Sequence, residues 1–210
     1  MTARDVETII KDCSANPAPI GLMGFGMTTI LLNLHNAGFM PLGAVILVMG
    51  IFFGGLAQVI VGIMEWKKGN TFGSTVFTSF GFFWIILVTI ILAPKLGLAG
   101  AETPVAMGWF LALWGIFTIF LTIGTLRTNR VMQFTFVSLI ALFFMLAIAD
   151  VWAIPDLKVL AGYVGILAGA GAVYMAMAQL LSEVLGRTVL PLFPVVRPTV
   201  TPVKEGSTAE

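Results

Sequence analysis

Six long apolar runs, near 20–36, 40–64, 73–93, 105–126, 131–149 and 159–182, contain no Asp, Glu, Lys or Arg. A helix needs about 20 apolar residues to cross the hydrocarbon core of a bilayer. Inside that core every backbone N–H and C=O must find a partner within the protein, which leaves only helices and closed barrels. The runs are continuously apolar rather than alternating, so a β-barrel is excluded as the reading. Turn or charge signals separate them at 35–38, 67–70, 94–104, 127–130 and 150–158. Composition agrees: 10% of residues are charged, against about 25% in a soluble domain. The chain is expected to be an all-α integral membrane protein with six transmembrane helices. Its predicted organisation is an N-terminal segment 1–15, a membrane domain 16–190 and a disordered tail 191–210.

An even number of spans puts both chain ends on one side. That side collects Arg4, Lys11, Lys67, Lys68, Arg127, Arg130, Arg187, Arg197 and Lys204, and the other keeps Lys95 and Lys158. Basic residues concentrate on the cytoplasmic side, so both termini are expected there, in a plasma-membrane protein. Residues 1–11 lack the apolar core of a cleavable signal peptide. The tail carries Pro191, Pro194, Pro198 and Pro202 without apolar periodicity. Cys13 is the only cysteine, so no intrachain disulfide can form.

Several function classes drop out. Net charge is +1, so no basic footprint for nucleic acid exists. One histidine and one cysteine cannot build a zinc site, no phosphate-binding loop is present, and no catalytic constellation appears. The expectation is a protein that is not an enzyme, with no metal and no cofactor. All ten acids fall at span ends, in loops or in tails. Midplane carboxylates mark proton relays and cation paths, so their absence fits a neutral or anionic solute.

The spans do carry small and uncharged polar residues. Gly50/Gly54 and Gly165/Gly169 are GxxxG pairs, which favour close helix packing. Thr28, Thr29, Asn33 and Asn36 recur along the first span and Gln58 lies in the second. Thr75, Thr78 and Ser79 lie on the third, Gln133, Thr135 and Ser138 begin the fifth, and Gln179 is late in the sixth. Each alone could hold helices together; as a set they outline a sparse path of hydrogen-bonding groups for a small carboxylate. Glu183 and Arg187, four residues apart, predict a surface ion pair on one helix face.

Residues 16–29 read NPAPIGLMGFGMTT. Pro17 and Pro19 suit a helix's first turn, and the glycines suit close backbone approach in a membrane. This segment resembles the signature of the acetate uptake transporter family, the succinate-acetate permeases. Further blocks match in the family's order: 30–39 ILLNLHNAGF, 52–58 FFGGLAQ, 65–73 EWKKGNTFG, 113–118 LWGIFT, 176–179 AMAQ and 186–191 GRTVLP. The resemblance covers nearly the whole membrane region.

It implies a six-helix protomer similar to the proton-gated urea channels, a homohexamer, and one path through each protomer. It also implies a narrow apolar constriction at the positions of Phe25, Phe80 and Leu139. Phe80 stands where many relatives carry Tyr, and Gln179 where they often carry Glu. The path residues that go with this reading are Asn16, Thr28, Thr29, Asn33, Gln58, Thr78, Gln133, Ser138 and Gln179. The implied function is transport of acetate, and of succinate or other short carboxylates, either as an anion through a channel or with a proton. The alternative is a channel for a small neutral solute such as urea or a short amide.

Overall fold

The computed structural model describes residues 14–195. Six helices cross the bundle: α1 (Ala18–Asn36), α2 (Ala44–Lys67), α3 (Thr71–Leu92), α4 (Pro104–Thr125), α5 (Arg130–Val151) and α6 (Pro155–Leu185). All six are long and apolar enough to span a membrane, and no strand forms among the described residues. The predicted spans differ from these helices only at their ends, where local signals set the boundaries. Asn70, Thr103 and Asn129 accept from the backbone N–H groups of Gly73, Ala106 and Met132, satisfying donors that a first helical turn leaves open. Proline occupies the first turn of α1, α4 and α6, where its missing N–H costs nothing.

Alternate connections place the starts of α1, α3 and α5 at one end of the bundle, with Lys67, Lys68 and Arg127. The starts of α2, α4 and α6 lie at the other end, with Lys95 and Lys158. The α1–α6 pair has the most extensive contact, and α5 packs on both α4 and α6. Small residues make the α1–α6 approach possible. A Cβ on Gly26 would stand 2.7 Å from the Gly169 carbonyl oxygen, and one on Gly169 would stand 2.8 Å from that of Gly26. One turn further along, Gly165 leaves room for the Asn33 side chain. The Gly165/Gly169 pair therefore serves packing.

The middle of α2, Gly50–Ala57, is a π-helix, a feature nothing in the sequence reading anticipated. π-turns are rare and tend to occur at functional sites. Here the widened turn packs against α1: the Phe53 carbonyl fills the space beside Gly24, and Thr28 lies beneath Gly54. The Thr28 hydroxyl donates to the Met49 carbonyl at 3.5 Å.

Two further outcomes differ from expectation. Glu183 and Arg187 form no ion pair, because Gly186 adopts φ 64 and ends α6 first. Arg187 then no longer shares a helix face with Glu183. Residues 191–195, expected as the start of an unstructured tail, are hydrogen bonded to the bundle. The Tyr174 hydroxyl donates to the Pro191 carbonyl at 2.9 Å. Arg130 N–H donates to Phe193 O and Val195 N–H to Thr128 O, at 3.0 and 2.9 Å. Residues 1–13, with Cys13, and 196–210 lie outside the described part.

Glu65 is buried (3% exposed) near the start of α3, where Asn70 Nδ2 donates to its Oε2 at 2.7 Å. The same Asn70 caps α3 through Oδ1. Asn70→Ala removes both bonds and strands a buried carboxylate. It should cost about 1–3 kcal/mol, measured as a lowered melting temperature in detergent. Asn70→Asp keeps the cap but sets two carboxyl groups together, so it should fall well short of rescue.

Candidate functional site

The helices enclose two cavities in line. The larger, about 240 Å³, opens at the end of the bundle that holds Lys158. The smaller, about 30 Å³, lies deeper, with room for a water molecule but not for a four-heavy-atom solute. Phe25 and Leu139 line both and therefore form the wall between them. Phe80 lines the smaller cavity alone and packs against Phe25 with ring centroids 5.5 Å apart. It is 2% exposed and fixed on its other side by Phe143, whose ring stacks at 6.4 Å, and by Trp114 at 5.9 Å. All six helices contribute to this region: α1 supplies Phe25, α2 Gln58, α3 Phe80 and α5 Leu139, α6 closes the back with Ala172 and Met175, and Trp114 of α4 packs behind Phe80.

The larger cavity is a vestibule walled by leucine and aromatic side chains, including Leu87, Leu111, Leu142 and Phe143. Its charged groups sit at its mouth, where Lys158 Nζ meets Asp150 Oδ1 at 2.8 Å. His35 also lines it, and its Nδ1–H points to the Met40 carbonyl at 3.0 Å. Deeper in, the polar groups are uncharged. Asn33 Nδ2 donates to the Thr29 carbonyl at 2.9 Å, and Asn33 Oδ1 accepts from Asn36 at 3.1 Å.

Three buried side-chain atoms among the described residues have no hydrogen-bond partner: Thr29 Oγ1, Gln58 Oε1 and Trp84 Nε1. All three residues line the cavities, Thr29 and Trp84 the vestibule and Gln58 the deeper one. Buried polar groups are almost always satisfied. A cluster of exceptions along one passage is what a transient hydrogen-bonding guest would require.

The other residues named from sequence are placed elsewhere. Thr28 is fully buried against α2, and Thr78 faces Gly62 in the α2–α3 contact. Gln133 bonds Thr125 O at 3.2 Å and Arg130 at 2.8 Å near the start of α5. Asn16, ahead of α1, accepts from Ala18 N–H through Oδ1 at 3.1 Å and donates through Nδ2 to Gln179 Oε1 at 3.4 Å. Ser138 is half-buried on α5. None of these six residues lines either cavity.

Sequence reasoning missed Trp84, together with Asp150 and Lys158 at the mouth. The signal for Trp84 was its spacing, four residues beyond Phe80 on the same helix face. Thr135, which was among the polar residues seen to begin the fifth span, lines the deeper cavity and donates to Val131 O at 2.9 Å.

Comparison with known proteins gives consistent results. The chain is 56% identical over 178 residues to the succinate-acetate/proton symporter SatP of Escherichia coli K12, covering 85% of this chain and 95% of that protein. It is 34% identical over 182 residues to acetate permease A of Emericella nidulans, covering 78% of this chain and 61% of that one. A solved structure described as the bacterial acetate channel SatP superposes with a TM-score of 0.84 at 55% identity, covering 85% of this chain and 99% of the other. Residues 3–196 match the model of the GPR1/FUN34/yaaH family. With six membrane-spanning helices and this match over most of its length, the chain is a multi-pass membrane protein that belongs to the GPR1/FUN34/yaaH family.

Proposed function

We propose that this protein carries acetate, and with it succinate and other short carboxylates, across the plasma membrane. The observation that supports this most directly is the passage itself. A vestibule with a lysine at its mouth narrows to an apolar Phe25–Leu139 wall, and the unpartnered polar atoms along it are uncharged. An apolar constriction selects by size, and neutral donors can replace part of an anion's hydration without trapping it. The names of its similar proteins, a symporter, a permease and a channel for acetate, support the same solute class. The symporter and channel names differ on mechanism. A carboxylate with a pKa near that of an aspartate side chain, about 3.9, is ionised at neutral pH, so the solute crosses either as the anion or together with a proton.

The reading extends to topology and assembly. Lys67, Lys68, Arg127, Arg130 and Arg187 gather at one end of the bundle, which supports placing both termini in the cytoplasm. The vestibule then faces outward. The family resemblance supports a homohexamer with one path per protomer, which native mass spectrometry in detergent tests directly. Path roles for Phe25, Phe80, Leu139, Thr29, Asn33 and Gln58 are supported by their positions on the cavities.

Labelled-acetate flux into proteoliposomes, with succinate and urea as competitors, tests the function. Acetate should enter and succinate should compete, while urea should neither compete nor be carried. Urea flux equal to acetate flux would favour the neutral-solute alternative. Imposing a membrane voltage separates the mechanisms: flux through an anion channel follows the voltage, and flux of acid with its proton ignores it.

A further inference from the structure

We propose that the Trp84 indole N–H and the Thr29 hydroxyl form a carboxylate-recognition pair, holding the solute's anionic head in the vestibule just before the Phe25 wall. The inference rests on the transport reading above and deepens it by naming the groups that choose the solute.

The two donors occupy matching places. Thr29 lies four residues after Phe25 on α1, and Trp84 lies four residues after Phe80 on α3. Both helices run in the same direction through the bundle. One helical turn, about 5.4 Å, therefore carries each donor from the narrow zone toward the vestibule, which both residues line. Both are 2% exposed, and neither polar atom has a protein partner.

The unpaired state of Thr29 is specific to that position. The other buried threonines, Thr28, Thr118, Thr125 and Thr135, all donate to backbone carbonyls. Thr29 does not, and its own carbonyl is occupied by Asn33. Trp84 is held by its far edge. A Cβ on Gly50, at the start of the π-helical turn, would stand 3.5 Å from Trp84 Cε3, so this flank of the ring rests on α2. Nε1 lies on the opposite flank of the indole. The Phe83 ring crosses it edge-on at 5.7 Å.

Donor character gives the chemical class. An indole N–H donates and never accepts, so its partner must present a lone pair. A second donor lining the same cavity suits an acceptor with two oxygens, and hydrogen bonds to a charged acceptor are the stronger kind. The surrounding leucines give the short alkyl end an apolar surface. Beyond the wall the unpartnered atom is Gln58 Oε1, which only accepts, so the donors to a carboxylate lie on the vestibule side.

Acetate uptake by proteoliposomes of Trp84→Phe tests this, because phenylalanine keeps an aromatic ring and loses the N–H. The apparent KM for acetate should rise about tenfold, the factor that corresponds to 1.4 kcal/mol, with the maximal rate within about twofold of wild type because the wall is untouched. Thr29→Val should act in the same direction, and Thr29→Ser should restore the wild-type KM. A second readout needs no transport. With 15N-indole tryptophan, the cross-peak missing from Trp84→Phe identifies Trp84, and in wild type it should shift with sodium acetate but not with sodium chloride at equal ionic strength. If wild type carries acetate yet both variants keep its KM and the cross-peak stays fixed, the pair binds only water and the proposal is overturned. If wild type carries no acetate, the transport reading fails, and the cross-peak alone decides whether the pair binds carboxylate. Should Trp84→Phe fail to assemble, Thr29→Val and Thr29→Ser decide it.

Discussion

Replacing Phe25 by alanine is expected to turn a selective passage into a permissive one. Phe25 and Leu139 are the side chains common to both cavities, so removing the phenyl ring merges the vestibule with the deeper space. Discrimination by a tight apolar site amounts to about 10–200-fold per methylene. Losing the wall should therefore raise propionate and butyrate flux about tenfold or more, while acetate flux changes little or rises. Phe25 is 8% exposed and packs mainly on Phe80 among aromatic neighbours, and the remaining ring contacts of Phe80 keep the cluster in place. Flux of an acid series through assembled Phe25→Ala checks this. An unchanged acid profile in an assembled variant would place Phe25 in packing rather than in selection.

Gly26→Val is expected to prevent a stable bundle from forming. The added Cβ would meet the Gly169 carbonyl oxygen at 2.7 Å and the Val173 nitrogen at 2.9 Å. Both are backbone atoms that no rotamer change can move, so α1 and α6 would have to separate along their whole contact. Overpacking of this kind costs about 3 kcal/mol or more, a large share of the 5–15 kcal/mol that typically holds a domain together. Loss of a monodisperse peak in detergent chromatography is the measurement. Gly100→Ala is the control, since nothing lies within 4 Å of its added methyl and its effect should stay within about 0.5 kcal/mol.

Much of the scaffold was legible residue by residue. The apolar runs match the six spans because bilayer thickness sets the length of both, while the capping by Asn70, Thr103 and Asn129 was seen only in the structure. The Phe25, Phe80 and Leu139 positions came from family resemblance, and they do line one deep cavity. Other features could not be read. The Glu183–Arg187 pair failed because a single left-handed residue, Gly186, changes direction between them. The bonds of 191–195 to the bundle depend on where Tyr174 and the 126–130 loop come to rest in space, which local composition does not encode. The π-turn in α2 packs against Thr28 of α1 and Ile85 of α3, neighbours that only the folded bundle brings to it.

Thr28 and Thr29 show where the division falls. They are adjacent and chemically identical, yet one bonds the backbone of α2 and the other faces the vestibule without a partner. In a soluble helix, water on one side and core on the other would mark the faces by polarity. Here lipid and core are both apolar, so helices that are hydrophobic all round carry no such mark. The sequence by itself determined that six helices cross a membrane, their order along the chain, and that no charge lies at their middles. Only the tertiary structure decided which face of each helix meets the passage, because close steric fit between helices, through Gly26 with Gly169 and Gly50 with Trp84, sets their rotation.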